Sequence, residues 1–379
     1  VGLSLALDIP RENVRVIGPA MGAGYGNKDE TRLAAITAIL AQRANRPVKI
    51  EFTREEEFIA GRHRHGTETT VKVGVKSDGT ITAVHATTIM DSGAYLSSGP
   101  GVVRRAGQGA LYLYRCPNAR YDGYLTYTNT PSGGSYRALG APQGHFALEV
   151  LMDRIAENLG IDPLEFRFKN HVGPEGQPGE RVTPRNEIVD TQPVEGGIPF
   201  SSNGLRECLT RGAEAIRWNE RHTKPRDSGA KKTGIGMSMF IYRGGPGGRS
   251  NAWMRLNSDG TIHLDAGLMD VGEGAYTVIP QIAAEELGVP VEQIQTNFGD
   301  TESTPEAPIT AGSTVTFSAG LAAKEAASQL KAKILNAAAS LLDAHPDELE
   351  IRNGLAQVIS APERSVTLAE LAENSHEPI

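Results

Sequence analysis

The sequence predicts an α+β fold in two domains, with mixed β-sheets that are packed by helices. The chain has 379 residues, more than the roughly 250–300 residues at which a single hydrophobic core stops growing. Strand-like and helix-like patterns occur in both halves, and a segment at 173–199 with five prolines and few apolar positions separates them. We therefore expect a first domain at 1–172, a linker and connecting helix at 173–220, and a second domain at 221–379.

The first half begins with a strand pattern at 14–17. Apolar residues from 33 to 40 then recur at helical spacing until Pro47 ends the run, which predicts a helix. Residues 48–52 alternate as in a second strand. The acidic segment 53–58 predicts a solvated turn and a helix cap.

A hairpin and a longer helix follow. Residues 67–75 and 81–89 alternate between apolar and polar and are joined through a Ser-Asp-Gly turn, which predicts a β-hairpin. A helix is expected from Pro142 to Leu159, closed by Gly160. Its core-facing residues are predicted to be Phe146, Val150, Leu151, Ile155 and Leu159.

The second half has its own series of elements. Strand patterns cover 234–242, 252–256 and 262–264, and helical patterns cover 279–287 and 319–342. The decapeptides VKSDGTITAV and LNSDGTIHLD lie at corresponding places in the two halves. Because Ser-Asp-Gly turns are common, this similarity leaves open whether the chain contains an internal repeat.

Net charge, apolar runs and cysteine count argue against several classes of function. A formal net charge of −7 and a pI of about 5.8 argue against nucleic-acid or anionic-membrane partners. With no long apolar run and no leader pattern, we expect a soluble cytoplasmic protein. Cys116 and Cys208 are too few for a disulfide framework or an iron–sulfur cluster. The chain opens without Met and stops abruptly, which suggests that it was cut from something longer.

Four glycine-rich or hydroxyl-rich loops precede helical patterns. They are MGAGYGNK (21–28), SYRALGAPQG (135–144), DVGEGAYT (270–277) and TAGSTVT (310–316). Backbone N–H groups at a helix start favour an anion such as phosphate. The first loop has neither the P-loop spacing nor the dinucleotide-binding spacing, so on this loop alone a tight turn or another glycine-rich nucleotide module stays open.

In this order, the four blocks resemble the molybdenum-binding subunit or domain of the xanthine dehydrogenase and aldehyde oxidase family. The resemblance spans nearly the whole chain and implies two molybdopterin-binding domains that cradle a molybdenum–molybdopterin cofactor with main-chain groups. It leaves open whether the pterin carries a cytosine dinucleotide. In this family no protein side chain ligates the molybdenum. The resemblance also implies [2Fe–2S] and FAD on partner subunits or missing domains of an oligomer.

The resemblance assigns site residues by position. The cofactor-binding residues would be Gly24, Tyr25, Gly26, Arg137, Gly272, Glu273, Gly274, Gly312 and Ser313. Arg137 matches an arginine beside the metal, and Arg105 matches one that orients a purine and stabilises charge on its ring oxygen, so both would be catalytic. A guanidinium suits this because it stays cationic and offers forked donors. A surface role for Arg105 stays open.

Several positions depart from the family pattern. Asp29 stands where xanthine enzymes have a substrate-binding Glu, unless a shift of one residue makes Glu30 the match. Leu139 replaces an aromatic residue that packs on the substrate. Glu273 occupies the place of a Gln, and we expect it to be protonated beside the cofactor. Ala138 stands where carbon monoxide dehydrogenases have a copper-binding Cys, which argues against CO oxidation.

The resemblance implies an oxidoreductase that hydroxylates a purine-like N-heteroaromatic or an aldehyde with oxygen from water, as in purine metabolism. The family's catalytic glutamate would lie past Ile379, so we expect this chain alone to be inactive. The alternative is a non-catalytic cofactor-binding fragment or scaffold that needs another chain for that glutamate. The basic segment 62–65 is expected to be structural or a phosphate neighbour rather than a ligand set.

Overall fold

The computed structural model describes residues 2–28, 31–173, 202–222, 230–242, 244, 248–375 and 379, together with the backbone of 181–182 and 188–190. The chain divides into two compact units. The terminal unit consists of Val1–Gly24, Lys28–Glu51 and Arg243–Ile379, and the central unit consists of Tyr25–Asn27 and Phe52–Tyr242. Residues before Phe52 therefore mostly group with the C-terminal half, and the linear boundaries at 172 and 221 stay predictions.

The helices are α1 (Gly2–Leu7), α2 (Arg32–Ala44), α3 (Arg54–Ala60), α4 (Gly99–Leu111), α5 (Ala141–Leu159), α6 (Pro163–Asn170), α7 (Leu205–Ala215), α8 (Ala275–Leu287), α9 (Val315–Leu342) and α10 (Leu368–Asn374). The strands are β1 (Thr67–Val75), β2 (Ile81–Gly93), β3 (Ala119–Tyr127), β4 (Arg181–Val182), β5 (Ile188–Asp190), β6 (Ala252–Leu256), β7 (Ile262–Ala266), β8 (Ile294–Phe298), β9 (Leu349–Arg352), β10 (Leu355–Val358) and β11 (Ala361–Thr367). None of the described helices is both long and apolar enough to cross a membrane.

The central unit is built on the sheet β1-β2-β3. Strand β1 pairs antiparallel with β2, and β2 pairs parallel with β3, so that α4 forms the crossover between them. Residues Val84, Ala86, Leu148 and Met152 share a buried cluster in which the sheet packs against α5. This confirms the hairpin and α5. Thr53 and Glu56 form a capping box at the start of α3, as the acidic segment predicts.

The terminal unit contains a sheet of the same pattern, β6-β7-β8, with one antiparallel and one parallel pair. Helix α8 connects β7 to β8, and α9 follows, so each unit has the order strand, strand, helix, strand, helix. Small residues along α9, including Ala323 and Ala327, are fully buried and let it lie close to α8. The antiparallel sheet β11-β10-β9 completes this unit. The predicted α+β class with mixed sheets is confirmed.

Helices α4 and α5 contact each other through backbone atoms. A Cβ on Gly144 would lie 2.1 Å from the carbonyl oxygen of Ala106, and one on Gly140 would lie 2.1 Å from that of Val102. The helical phase predicted for α5 is therefore wrong in part: Phe146 is 75% exposed. The side of α5 that carries Gly144 faces α4, because only glycine allows the two backbones to lie this close.

Replacing Gly144 by Ala is expected to lower the free energy of unfolding by about 1–3 kcal/mol, because the methyl group overpacks the α4–α5 contact. The matched control is Gly212→Ala in the interior of α7, where a Cβ would meet no described atom within 4 Å. This control is expected to stabilise by up to about 1 kcal/mol through helix propensity. Thermal unfolding of both variants checks the difference, and an equal effect would contradict the close contact.

Three predicted strands are absent from the described residues. Residues 14–17 make only a single bridge, from Ile17 to Asp300, and 48–52 make none. The segment 234–242 pairs with no described strand, and two of its N–H groups bond side chains of α5 instead: Met239 N–H donates to Glu149 Oε2 at 2.8 Å, and Ile241 N–H donates to His145 Nε2 at 3.3 Å. These bonds tie the segment to α5.

Candidate cofactor site

The four motif loops share a left-handed backbone. Each contains two or three residues with positive φ, and several of these residues are not glycine. The φ values are Tyr25 49°, Gly26 92°, Ala138 65°, Leu139 40°, Gly140 90°, Gly272 102°, Gly274 86°, Gly312 66° and Ser313 60°. Non-glycine residues occupy this region at a cost of about 1–2 kcal/mol each, and such strain concentrates at ligand sites. Turns of this kind can aim successive backbone N–H groups at an anion.

In the terminal unit, three of the loop segments lie together. Met21 N–H donates to the carbonyl of Asp270 at 2.9 Å, and a Cβ on Gly272 would lie only 2.4 Å from the carbonyl oxygen of Gly22. Thr310 Oγ1 donates to the carbonyl of Met269 at 2.8 Å. Segments 21–24, 269–274 and 310–313 are therefore neighbours within this unit.

Asp270 organises the loop that precedes α8. Its carboxylate accepts N–H bonds from Gly272 at 2.8 Å, Tyr276 at 3.2 Å and Gly274 at 3.4 Å. Burial alone would raise the pKa of Asp270, but the backbone donors outweigh it and lower that pKa. Glu273 Oε2 accepts the N–H of Val271 at 2.8 Å. Either protonation state of Glu273 can accept this bond, so its protonation beside a cofactor stays a prediction.

In the central unit, Arg62 fixes the other part of the first glycine loop. Its N–H donates to Asn27 Oδ1 at 3.0 Å, and its Nη2 donates to the carbonyl of Gly26 at 3.1 Å. A Cβ on Gly26 would lie 2.9 Å from backbone atoms of Ser135. The guanidinium of Arg137 lies 5.9 Å from the ring centre of Tyr25. Segments 25–27 and 133–137 thus form one packed group.

Arg64 holds the turn that follows. Its Nη2 donates to the carbonyl of Arg137 at 2.7 Å, its Nη1 donates to Gln143 Oε1 at 3.3 Å, and its guanidinium lies 4.6 Å over the ring of Tyr136. Gln143 Nε2 is a buried donor with no hydrogen-bond partner in the described part of the chain. Arg62 and Arg64 thereby shape both loops, and the structural reading of segment 62–65 fits these contacts.

Arg105 and Leu139 lie where α4 meets this turn. Arg105 Nη1 donates to Gln108 Oε1 at 2.6 Å, and its guanidinium lies 5.8 Å from the ring centre of Tyr242. Leu139 is half-buried against a small cluster that contains Val102 and Ala106 of α4. The backbone contact at Gly140 fixes the turn directly on this helix.

The buried His145, in the first turns of α5, makes the stability of the protein depend on pH. Burial lowers its pKa to about 4, below the ordinary value of about 6.5 in an unfolded chain. Between these values the unfolded state binds more protons, so stability falls as pH falls from about 6.5 to 4, by up to about 3 kcal/mol. His145→Gln should flatten the pH dependence of thermal unfolding in this range. The control is His222→Gln, at an exposed histidine, and it should leave the pH dependence in place.

Comparison with known proteins agrees with this geometry. Models of the molybdopterin cofactor-binding domain match residues 2–171 and 211–378. A putative xanthine dehydrogenase molybdenum-binding subunit of Escherichia coli K12 is 36% identical over 382 residues, covering 97% of this chain and 48% of that protein. This chain belongs to the xanthine dehydrogenase and aldehyde oxidase family.

Solved structures of two oxidoreductases are similar to this chain. Quinoline 2-oxidoreductase from Pseudomonas putida 86 has a TM-score of 0.81 and 25% identity, covering 98% of this chain and 48% of its own. The aldehyde oxidoreductase from Desulfovibrio gigas has a TM-score of 0.76 and 29% identity, covering 89% and 35%. The chain thus spans about half the length of its first relative and less of others.

The residues present fit an anionic pterin cofactor. Gly26 and Gly272 are required by the protein's own backbone packing. Gly22 is different, because a Cβ there would meet no described atom within 4 Å, so internal packing does not explain this glycine. The unpartnered Gln143 Nε2 and the left-handed turns offer donors of the kind such a group needs.

The predicted cofactor residues are divided between the two units. The terminal unit has Gly24, Gly272, Glu273, Gly274, Gly312 and Ser313, and the central unit has Tyr25, Gly26 and Arg137, with Arg105 and Leu139 beside α4. Asp29 and Glu30 lie outside the described residues. The individual roles stay predictions.

Sequence reasoning assigned no role to Asp270, Gln108 or His145. For Asp270 a signal existed, since an Asp before a Gly-x-Gly helix start is a typical acceptor for backbone N–H groups.

Proposed function

We propose that this chain is the cofactor-binding part of a molybdenum hydroxylase that oxidises a purine-like N-heteroaromatic or an aldehyde with oxygen from water. When bound, the molybdenum–pterin group supplies the two-electron redox chemistry and activates the water. The chain's own residues bind and orient that group and the substrate.

The observation that carries the proposal is the left-handed backbone in all four motif loops, three of which hold non-glycine residues in that conformation. Two consecutive non-glycine residues with positive φ, Ala138 and Leu139, directly follow Arg137. Arg64 holds this turn from one side and the α4 backbone holds it from the other. Rigid main-chain donors suit an anionic cofactor because they need no reordering when it binds.

We assign side-chain roles on the same basis. Arg137, beside the ring of Tyr25, would stabilise negative charge near the metal. Arg105 would bind a substrate oxygen and stabilise charge that develops on it during the reaction. Leu139 would limit the width of the substrate pocket, and Asp29 would hydrogen-bond the substrate. Glu273, expected to be protonated, would donate to the cofactor.

The activity belongs to the whole protein. We propose that [2Fe–2S] and FAD modules on partner subunits or further domains carry electrons away, that the complex is oligomeric and cytoplasmic, and that a glutamate beyond Ile379 serves as general base. Hydrolysis of the bound cofactor tests whether the pterin carries a cytosine dinucleotide, because that form releases CMP.

The test uses the full-length protein with its natural partners. Molybdenum and pterin content are measured, and then turnover of hypoxanthine, nicotinate and simple aldehydes in ¹⁸O-labelled water. We expect one molybdenum per chain and ¹⁸O in the product. Bound cofactor without turnover of any substrate would favour the non-catalytic scaffold, and a preparation without molybdenum would contradict the proposal as a whole.

A further inference from the structure

We propose that Gln108 is a positioning residue that fixes the direction of the Arg105 guanidinium and keeps its charge available to the substrate. This inference rests on the proposed function, because it concerns how Arg105 selects substrates with a ring oxygen. Nothing in the family resemblance assigns a role to this glutamine.

The first support is the contact itself. Gln108 is only 7% exposed, and its Oε1 accepts a hydrogen bond from Arg105 Nη1 at 2.6 Å. The two residues are three apart on α4, so their side chains share one face of the helix. The helix is immobilised beneath them by Ala106, which is fully buried, and by Gly109, which lies against the backbone of Ala141.

The second support is an aromatic ring near the guanidinium. Tyr242 lies with its ring centre 5.8 Å from Arg105 Cζ, within the range of a cation–π contact. The backbone before Tyr242 is held by α5, since Ile241 N–H donates to His145 and Met239 N–H donates to Glu149. Arg105 therefore contacts both an amide oxygen from α4 and a ring whose backbone α5 holds.

Gln108 is an uncharged hydrogen-bond partner for Arg105. An amide oxygen accepts one of the five guanidinium N–H bonds and carries no charge, so the full positive charge of Arg105 remains. A carboxylate at 2.6 Å would form an ion pair and offset that charge. Glutamine at this position fixes the guanidinium without neutralising it. This suits a residue that must meet negative charge developing on a ring oxygen.

The test uses the full-length holoenzyme with Gln108→Met, which keeps the side-chain length but removes the acceptor, and Gln108→Glu, which keeps an acceptor but adds charge. The matched control is Gln329→Met, at an exposed glutamine on α9 that bonds Glu325 four residues earlier. Molybdenum content is measured for every variant. Turnover is compared for hypoxanthine, which has a ring oxygen, and for a simple aldehyde, which has no ring.

Gln108→Met is expected to lower kcat/KM for hypoxanthine about tenfold, mainly through kcat, because the Arg105 donor is then no longer held toward the developing charge. The aldehyde should change less than about twofold. Gln108→Glu should lower hypoxanthine turnover at least as much as Gln108→Met. Equal losses for both substrates, or no loss for hypoxanthine, would overturn the proposal.

A crystal structure of the Gln108→Met protein gives a readout that needs no turnover. The Arg105 guanidinium is expected to leave its place beside Tyr242 or to become disordered. A guanidinium that stays in place would overturn the positioning role even if the enzyme proved inactive on every substrate. An inactive wild-type enzyme would instead contradict only the proposed function.

Discussion

Replacing Glu149 by Gln is expected to lower the free energy of unfolding by up to about 3–5 kcal/mol, because the change leaves the buried guanidinium of Arg167 with only the half-exposed Asp153 as an anionic partner. Glu149 Oε2 accepts bonds from Arg167 Nε at 3.0 Å and Nη2 at 2.9 Å, and the Arg167 side chain is fully buried. The other carboxylate oxygen accepts a bond from the Tyr114 hydroxyl. Burial and the Glu149 charge raise the pKa of Tyr114 well above its ordinary value, so the phenol remains a donor.

The measurement is thermal unfolding together with hydrogen exchange of α5 and α6, which reports local opening. The control is Glu207→Gln, because Glu207 pairs with Arg211 at 3.1 Å on the exposed face of α7. An exposed pair of this kind contributes about 0.3–0.5 kcal/mol. Combining Glu149→Gln with Arg167→Met should recover part of the loss, since no buried charge then remains. A loss from Glu149→Gln as small as that of the control would contradict this account.

Replacing Gly272 by Ala is expected to lower the molybdenum occupancy of the purified full-length protein about tenfold. The left-handed conformation costs a non-glycine residue about 1–2 kcal/mol, so the loop of the variant would relax out of this conformation and would have to pay that cost on binding. A cost of 1.4 kcal/mol in binding corresponds to tenfold in affinity. A methyl group there would also lie 2.4 Å from the carbonyl oxygen of Gly22, so the two segments would have to separate. Elemental analysis of the purified protein measures the effect.

Gly354→Ala is the matched control in the same unit. Gly354 has φ 77° in the turn between β9 and β10, and a Cβ there would lie 2.4 Å from the side chain of Gln293. This variant has comparable backbone strain but lies outside the motif loops. It should lower thermal stability and leave molybdenum occupancy unchanged. If both variants lost molybdenum equally, the loss would reflect general destabilisation rather than the site.

Local sequence signals predicted α2, α5, α8, α9 and the hairpin because their determinants lie within a few residues of each other, whereas α1, α4, α6 and α10 were not predicted. The Ser-Asp-Gly turn between β1 and β2 and the glycine that ends α5 are of this kind. The strands expected at 14–17 and 234–242 were wrong because a strand needs a partner. In the second case, the partner is a pair of side chains on α5, Glu149 and His145, far away in the sequence.

The question of an internal repeat shows the same limit. Two similar decapeptides left it open, whereas both units prove to have the order strand, strand, helix, strand, helix with the same pairing pattern. Whether two strands pair parallel or antiparallel depends on which strands meet after the intervening helix. No local sequence pattern specifies which strands pair, so the shared topology is visible only in the folded chain.

The sequence by itself identified the family, the cofactor class and the loops that would bind it, through the resemblance of four blocks, because each block is a short continuous stretch of the chain. The tertiary structure decided which residues support those loops. Arg62 and Arg64 bond carbonyl groups that lie tens of residues away in the sequence. Asp270 and Gln108 bond groups two and three residues away. Their effect depends on angle and burial, which arise only when the helices and turns pack.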